Sequence, residues 1–89
     1  MITPQIIAKW MAEKLEREKY IYQEVVVYEI ASKFGDEFTY TNANGNLAID
    51  KRVLREFRKL TEKTVVWERG EKLWRFREDY DQPEKRQAD

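Results

Sequence analysis

Between Pro4 and Glu18, apolar residues return every three or four positions. Ile6, Ile7, Trp10, Met11 and Leu15 share one side, while Glu13, Lys14, Glu16, Arg17 and Glu18 cover the other. A helix of 3.6 residues per turn gathers such positions into one stripe, so the spacing predicts a first helix over 4–18. Thr3 stands where an N-cap hydroxyl takes up an orphan N–H, and Pro4 occupies the first helical position, where its missing N–H is not needed.

The next stretch carries two signals. The run Val25-Val26-Val27 and its neighbouring tyrosines favour a strand by propensity. The spacing of Val26, Val27, Ile30 and Phe34 favours a helix, and Gly35 follows where a C-cap glycine belongs. Spacing prevails in our reading: a short extended piece at Tyr20-Ile21, then a helix over 22–34. Phe38 to Thr41 reads as extended, Asn44-Gly45 as a hairpin turn, and Leu47 to Ile49 as the returning strand before Asp50 caps the next helix. The asparagines read as turn chemistry. A calcium loop of EF-hand type needs an acid or amide two residues before Asn42, and Tyr40 stands there.

Residues 50–63, DKRVLREFRKLTEK, give the clearest helix, with Val53, Leu54, Phe57 and Leu60 as the inward stripe. Lys51, Arg52, Arg55, Arg58, Lys59 and Lys63 fall on the opposite side. Thr64–Trp67 and Lys72–Arg77 then read as two strands around Arg69-Gly70. A two-residue loop pairs Trp67 with Lys72 and Val65 with Trp74, but sets Glu68 against Glu71; a bulged three-residue loop avoids that like-charge pair. The two-residue loop places Val65, Trp67, Trp74 and Phe76 on one face and leaves Val66 and Leu73 on the other; the register stays open between the two. From Glu78 onward the chain is polar, acidic and aperiodic. We expect one domain over 1–77 followed by a mobile acidic tail over 78–89.

Composition changes this picture in three ways. The 89 residues contain twelve aromatics, enough to build a single small core. There is no cysteine and no histidine, which removes disulfides, thiolate chemistry and the common zinc-ligand sets. The formal net charge is zero but unevenly spread: net −2 over residues 1–49, +5 over 50–77 and −3 over 78–89. No basic segment leads into a long apolar run, so neither a signal peptide nor a membrane span is expected, and the cytoplasm is the expected location.

The order helix, short strand, helix, helix, hairpin resembles a winged-helix domain, an α+β unit of three helices whose C-terminal β-hairpin packs beside the third. Two features depart from that resemblance: residues 36–49 insert a short hairpin of their own between helices 2 and 3, and the sequence pI is about 6.4. More closely, the run FGDEFTYTNANGNLAIDKRVLREFRKLTEKTVVWERGEKLWRFR resembles a family of small uncharacterised bacterial proteins, some carried on integron gene cassettes. That resemblance implies a bacterial, cytoplasmic, single-domain protein and brings no activity with it.

Two binding surfaces follow. If the winged-helix analogy holds, double-stranded DNA would meet Lys51, Arg52, Arg55, Arg58 and Lys59 on the third helix, with Arg69 and Lys72 at the wing tip. A protein partner or a second copy would instead meet an apolar edge of Val66 and Leu73, with Trp67 and Trp74, helped by Tyr20, Tyr22, Tyr28 and Tyr40. The bland alternatives are a merely solvated basic face and tryptophans that complete the core. Catalysis is not expected, because no nucleophile–base pair, phosphate loop or metal-ligand spacing is present. Asp50 is explained as a cap and Asp36-Glu37 as loop residues. No cofactor, metal or small-molecule site is expected.

Overall fold

Local chemistry sets the helix ends in the computed structural model, which describes residues 1–88. Helix α1 spans Pro4–Glu18, with the Thr3 hydroxyl accepting the Ile6 N–H at 3.2 Å. It stops at Lys19, which turns left-handed (φ 73°) and donates its N–H to the Leu15 carbonyl at 2.7 Å. Strand β1 (Tyr20–Tyr22) and helix α2 (Gln23–Phe34) follow, and Gly35 closes α2 at φ 88°. The helical spacing of Val26, Val27 and Ile30 therefore overrides the strand propensity of the valine run, because all three are buried against the core.

A single 3-10 turn (Asp36–Phe38) leads into a two-stranded ribbon, β2 (Thr39–Thr41) and β3 (Leu47–Ile49). Its loop is five residues long and organised by Asn42, whose side-chain oxygen accepts the N–H groups of Asn44 and Asn46, both at 3.0 Å. Helix α3 (Lys51–Thr61) starts at Asp50, whose carboxylate accepts the Arg52 N–H at 2.7 Å. Strands β4 (Val65–Glu68), β5 (Leu73–Phe76) and β6 (Gln87–Ala88) complete a four-stranded sheet ordered β1-β5-β4-β6. The pairings are antiparallel except β4 with β6. The fold is α+β, with three helices, a β-hairpin after α3 and the short extra ribbon between α2 and α3.

The core lies between the helices and one face of the sheet. Ile7, Met11, Ile30, Val53, Phe57 and Val65 are all 1% exposed or less. Burying each such side chain stabilises the fold by about 1.5–3 kcal/mol. Trp74 seals the sheet side, edge-on to Phe57 at 5.4 Å and tilted against Trp67 at 4.8 Å.

Four expectations are corrected. Leu60 is 57% exposed, since the last turn of α3 directs Thr61 inward instead. On α1 the buried stripe is Ile7, Ala8, Met11, Lys14 and Leu15, rotated so that Ile6 faces outward and Lys14 inward. Lys14 is tolerated there because Glu18 (2.7 Å) and Glu29 (3.1 Å) meet its ammonium, tying α1 to α2. The hairpin register matches neither alternative: Trp67 pairs with Trp74 and Glu68 with Leu73, around a four-residue loop. The shift amounts to two residues relative to the two-residue loop, so the same side chains keep the same faces.

The fourth correction concerns the chain after Arg77. In place of an unpacked tail, residues 78–88 form a strap across the sheet that ends in β6. The Trp67 N–H donates to the Arg86 carbonyl and the Arg69 N–H to that of Ala88, both at 2.8 Å.

Candidate nucleic-acid interface

Helix α3 places its buried side chains four residues apart, at Val53, Phe57 and Thr61. Leu54 and Glu56 are half-buried on the flanks, and Lys51, Arg52, Arg55, Arg58 and Lys59 are all exposed on the far side. Three of these cations already hold carboxylates. The Arg52 guanidinium forks onto both oxygens of Asp50, at 3.0 and 2.9 Å. Arg58 meets Glu62 one turn on at 2.8 Å, and Lys59 meets Glu56 at 3.2 Å. The Arg52 side chain beside Asp50 holds that carboxyl below its ordinary range, and Arg58 does the same to Glu62. Among the described residues, Lys51 and Arg55 have no ion pair. The face thus carries five cations and partial internal neutralisation.

The hairpin tip is fastened on both flanks rather than projecting freely. Besides the Arg69 bond to Ala88, the Gln23 N–H donates to the Lys72 carbonyl at 3.0 Å, and Lys72 itself is left-handed (φ 56°). The Arg69 and Lys72 side chains are exposed. Lys72 shares a cleft of about 360 Å³ with Tyr22, Tyr28, Asn42 and Asn46, so its neighbours are α2 and the β2–β3 loop.

Of the residues expected to offer an apolar edge to a partner, three are buried and one is half-buried. Val66 is 1%, Trp74 6% and Leu73 7% exposed, and Trp67 is half-buried. Trp67 and Trp74 face the helices. Val66 lies under the strap, beside Tyr80, Asp81 and Ala88, and Leu73 stands opposite Tyr22. Tyr20, Tyr22, Tyr28 and Tyr40 remain exposed.

Sequence reasoning missed three arginines that organise this side of the molecule. Arg75 lies between Glu68 (2.7 Å) and Asp81, which takes it in a fork at 2.9 and 3.0 Å, while Tyr80 covers the guanidinium at 5.4 Å. The Asp81 side chain is 7% exposed, and hydrogen bonds from Arg75 and from the Glu78 N–H push its carboxyl down to about 2. Arg77 donates to the carbonyls of Lys63, Gln82 and Lys85. Arg86 donates to the carbonyls of Thr61 (2.7 Å) and Val65 (2.9 Å) and to the Thr61 hydroxyl (2.9 Å), and burial lowers its pKa. The Arg86 bond to the Thr61 carbonyl adds to the one that carbonyl accepts from the Thr64 N–H at 3.2 Å, where α3 ends without further intrahelical donors. No sequence signal announces these bonds, since each joins an arginine to main-chain atoms selected by folding.

Among the described residues, no group of three or more candidate metal ligands occurs and no helix is long and apolar enough to cross a membrane. Neither a curated protein nor a solved structure matches the chain. One family model does match, over residues 3–76, from the N-cap of α1 to the last residue of β5: the chain belongs to DUF6953, a family of unknown function.

Proposed function

We propose that this protein is a non-catalytic binding module of winged-helix type that holds double-stranded DNA through the exposed face of α3. One observation carries the reading: Lys51, Arg52, Arg55, Arg58 and Lys59 all lie on the solvent side, opposite Val53, Phe57 and Thr61. Exposed ion pairs such as Arg58–Glu62 are screened by solvent and stabilise little, so a phosphate can replace the carboxylate at little cost. The order of β1, β5 and β4 beside α3 supports the winged-helix assignment. Arg69 and Lys72 would serve as secondary backbone contacts. A bacterial origin, with carriage on integron cassettes, and a cytoplasmic location belong to the same proposal.

The test is fluorescence anisotropy of a labelled random-sequence duplex at low and near-physiological salt. About five phosphate contacts give a log–log salt slope near −4 to −5. The double charge reversal Arg55→Glu with Arg58→Glu abolishes that binding. Absence of binding at low salt would overturn the proposal.

A second reading, docking of a protein partner or a second copy, moves to the tyrosines once Val66 and Leu73 prove buried. Tyr20 and Tyr22 meet edge-on at 5.7 Å on the outer strand β1, and Tyr28 is 61% exposed. Light scattering that gives a monomer mass at high concentration removes the homodimer form of this reading.

A further inference from the structure

Reading a base edge takes more than positive charge. An arginine identifies guanine by presenting two donors from one edge of its guanidinium to O6 and N7 in the major groove. Of the three arginines on α3, two have spent such an edge on carboxylates. Arg52 gives Nε and Nη2 to Asp50, and its guanidinium also lies over the Phe38 ring at 5.3 Å. Arg58 gives Nε and Nη2 to Glu62. Arg55 is exposed and, among the described residues, its side chain makes neither a hydrogen bond nor an ion pair, so its whole fork is open.

Its place on the helix suits the same task. Positions two apart are turned by about 200°, and Arg55 stands two residues after Val53 and two before Phe57, both buried. It therefore points away from the core. The Phe57 ring packed against Trp74 fixes the rotation of α3 beneath it. The C-terminal end of α3 is crowded: Arg77 and Arg86 bring the strap onto the Lys63 and Thr61 carbonyls, and Glu78 and Asp79 line a cleft with Lys63. Those acids repel a phosphate backbone, which leaves the N-terminal half of the helix, with Arg55, as the end that enters a groove.

We propose that Arg55 is the base-reading residue of this helix and selects a guanine in the major groove of double-stranded DNA. Lys51, Arg52, Arg58 and Lys59 hold the flanking phosphates. The inference rests on the DNA-binding reading above and adds a sequence preference to it. Arg52 and Arg58 must give up a carboxylate oxygen before they meet any ligand. A phosphate returns an anionic oxygen of the same kind, whereas a neutral guanine edge does not.

The test has two stages, both with the full-length chain. Selection from a randomised duplex pool is expected to enrich a site with one fixed G·C pair, and anisotropy then compares that site with a random duplex. Arg55→Lys, which keeps the charge but loses the fork, should cut the ratio of the two affinities by about five- to 150-fold. Arg58→Ala should weaken both duplexes alike and reduce the log–log salt slope by about one. In the selected site, 7-deazaguanine lacks the N7 acceptor, so it should weaken wild type and weaken Arg55→Lys no further. Binding without an enriched guanine, an unchanged affinity ratio in Arg55→Lys, or an equal 7-deazaguanine loss in both proteins would overturn this assignment and leave the DNA-binding reading standing. Absence of binding to the random duplex at low salt would overturn both.

Discussion

Phe57 and Leu60 lie three residues apart on one helix and have opposite fates: one is 1% exposed, the other 57%. Phe57→Ala is expected to cost about 3–5 kcal/mol, because it removes the ring that meets Trp74 and leaves a cavity. Leu60→Ala should stay within about 0.5 kcal/mol, as surface changes do. Urea unfolding of the two variants reads both values. Asp81 gives a prediction in pH. Its carboxyl is pushed down to about 2 in the folded chain, against about 3.9 unfolded. A depressed carboxyl stabilises fully above its unfolded pKa, and that contribution is lost as pH falls through the folded one. The stability gap between wild type and Asp81→Asn should therefore be widest at neutral pH and close between about pH 4 and 2. Urea midpoints at several pH values check this.

Among the elements, helix ends were the most legible. Thr3, Gly35 and Asp50 mark their termini through short-range chemistry, which a sequence carries openly. Gly35 sits at φ 88° and ψ 179°, a region essentially confined to glycine. Gly35→Ala should cost about 1–3 kcal/mol despite the open space around it; a lowered thermal midpoint would show it. The inward side of each helix was less legible. The apolar spacing allowed Ile6 and Leu60 to face inward as readily as Ala8 and Thr61, and only the position of the neighbouring elements decided. For α3 the consequence is functional. Arg55→Glu with Arg58→Glu should keep the far-UV helix signal, because neither side chain is buried, while removing duplex binding. Arg58→Glu also sets a like-charge pair with Glu62, a mildly destabilising arrangement on an exposed helix face.

Across the whole molecule, one apolar cluster draws on all three helices and on β1, β3, β4 and β5. Unfolding followed by tryptophan fluorescence and by far-UV circular dichroism should therefore give coincident transitions. Two separate transitions would mean that the elements do not share a core. What the chain's local order settled is the α+β class, the element sequence, the caps and the basic face of α3, because each depends on contacts within a few residues. Of the two loops the sequence allowed, the two-residue one assigned the hairpin faces that are observed, since alternation survives a two-residue change of register. Packing between distant segments decided the rest: the four-residue loop, the burial of Val66 and Leu73, and the strap. Arg86 reaches Thr61 across 25 positions, and Arg75 finds Asp81 only after the chain turns back over the sheet. Such pairings join polar groups in space, and polar residues leave no periodic trace from which their partners can be read.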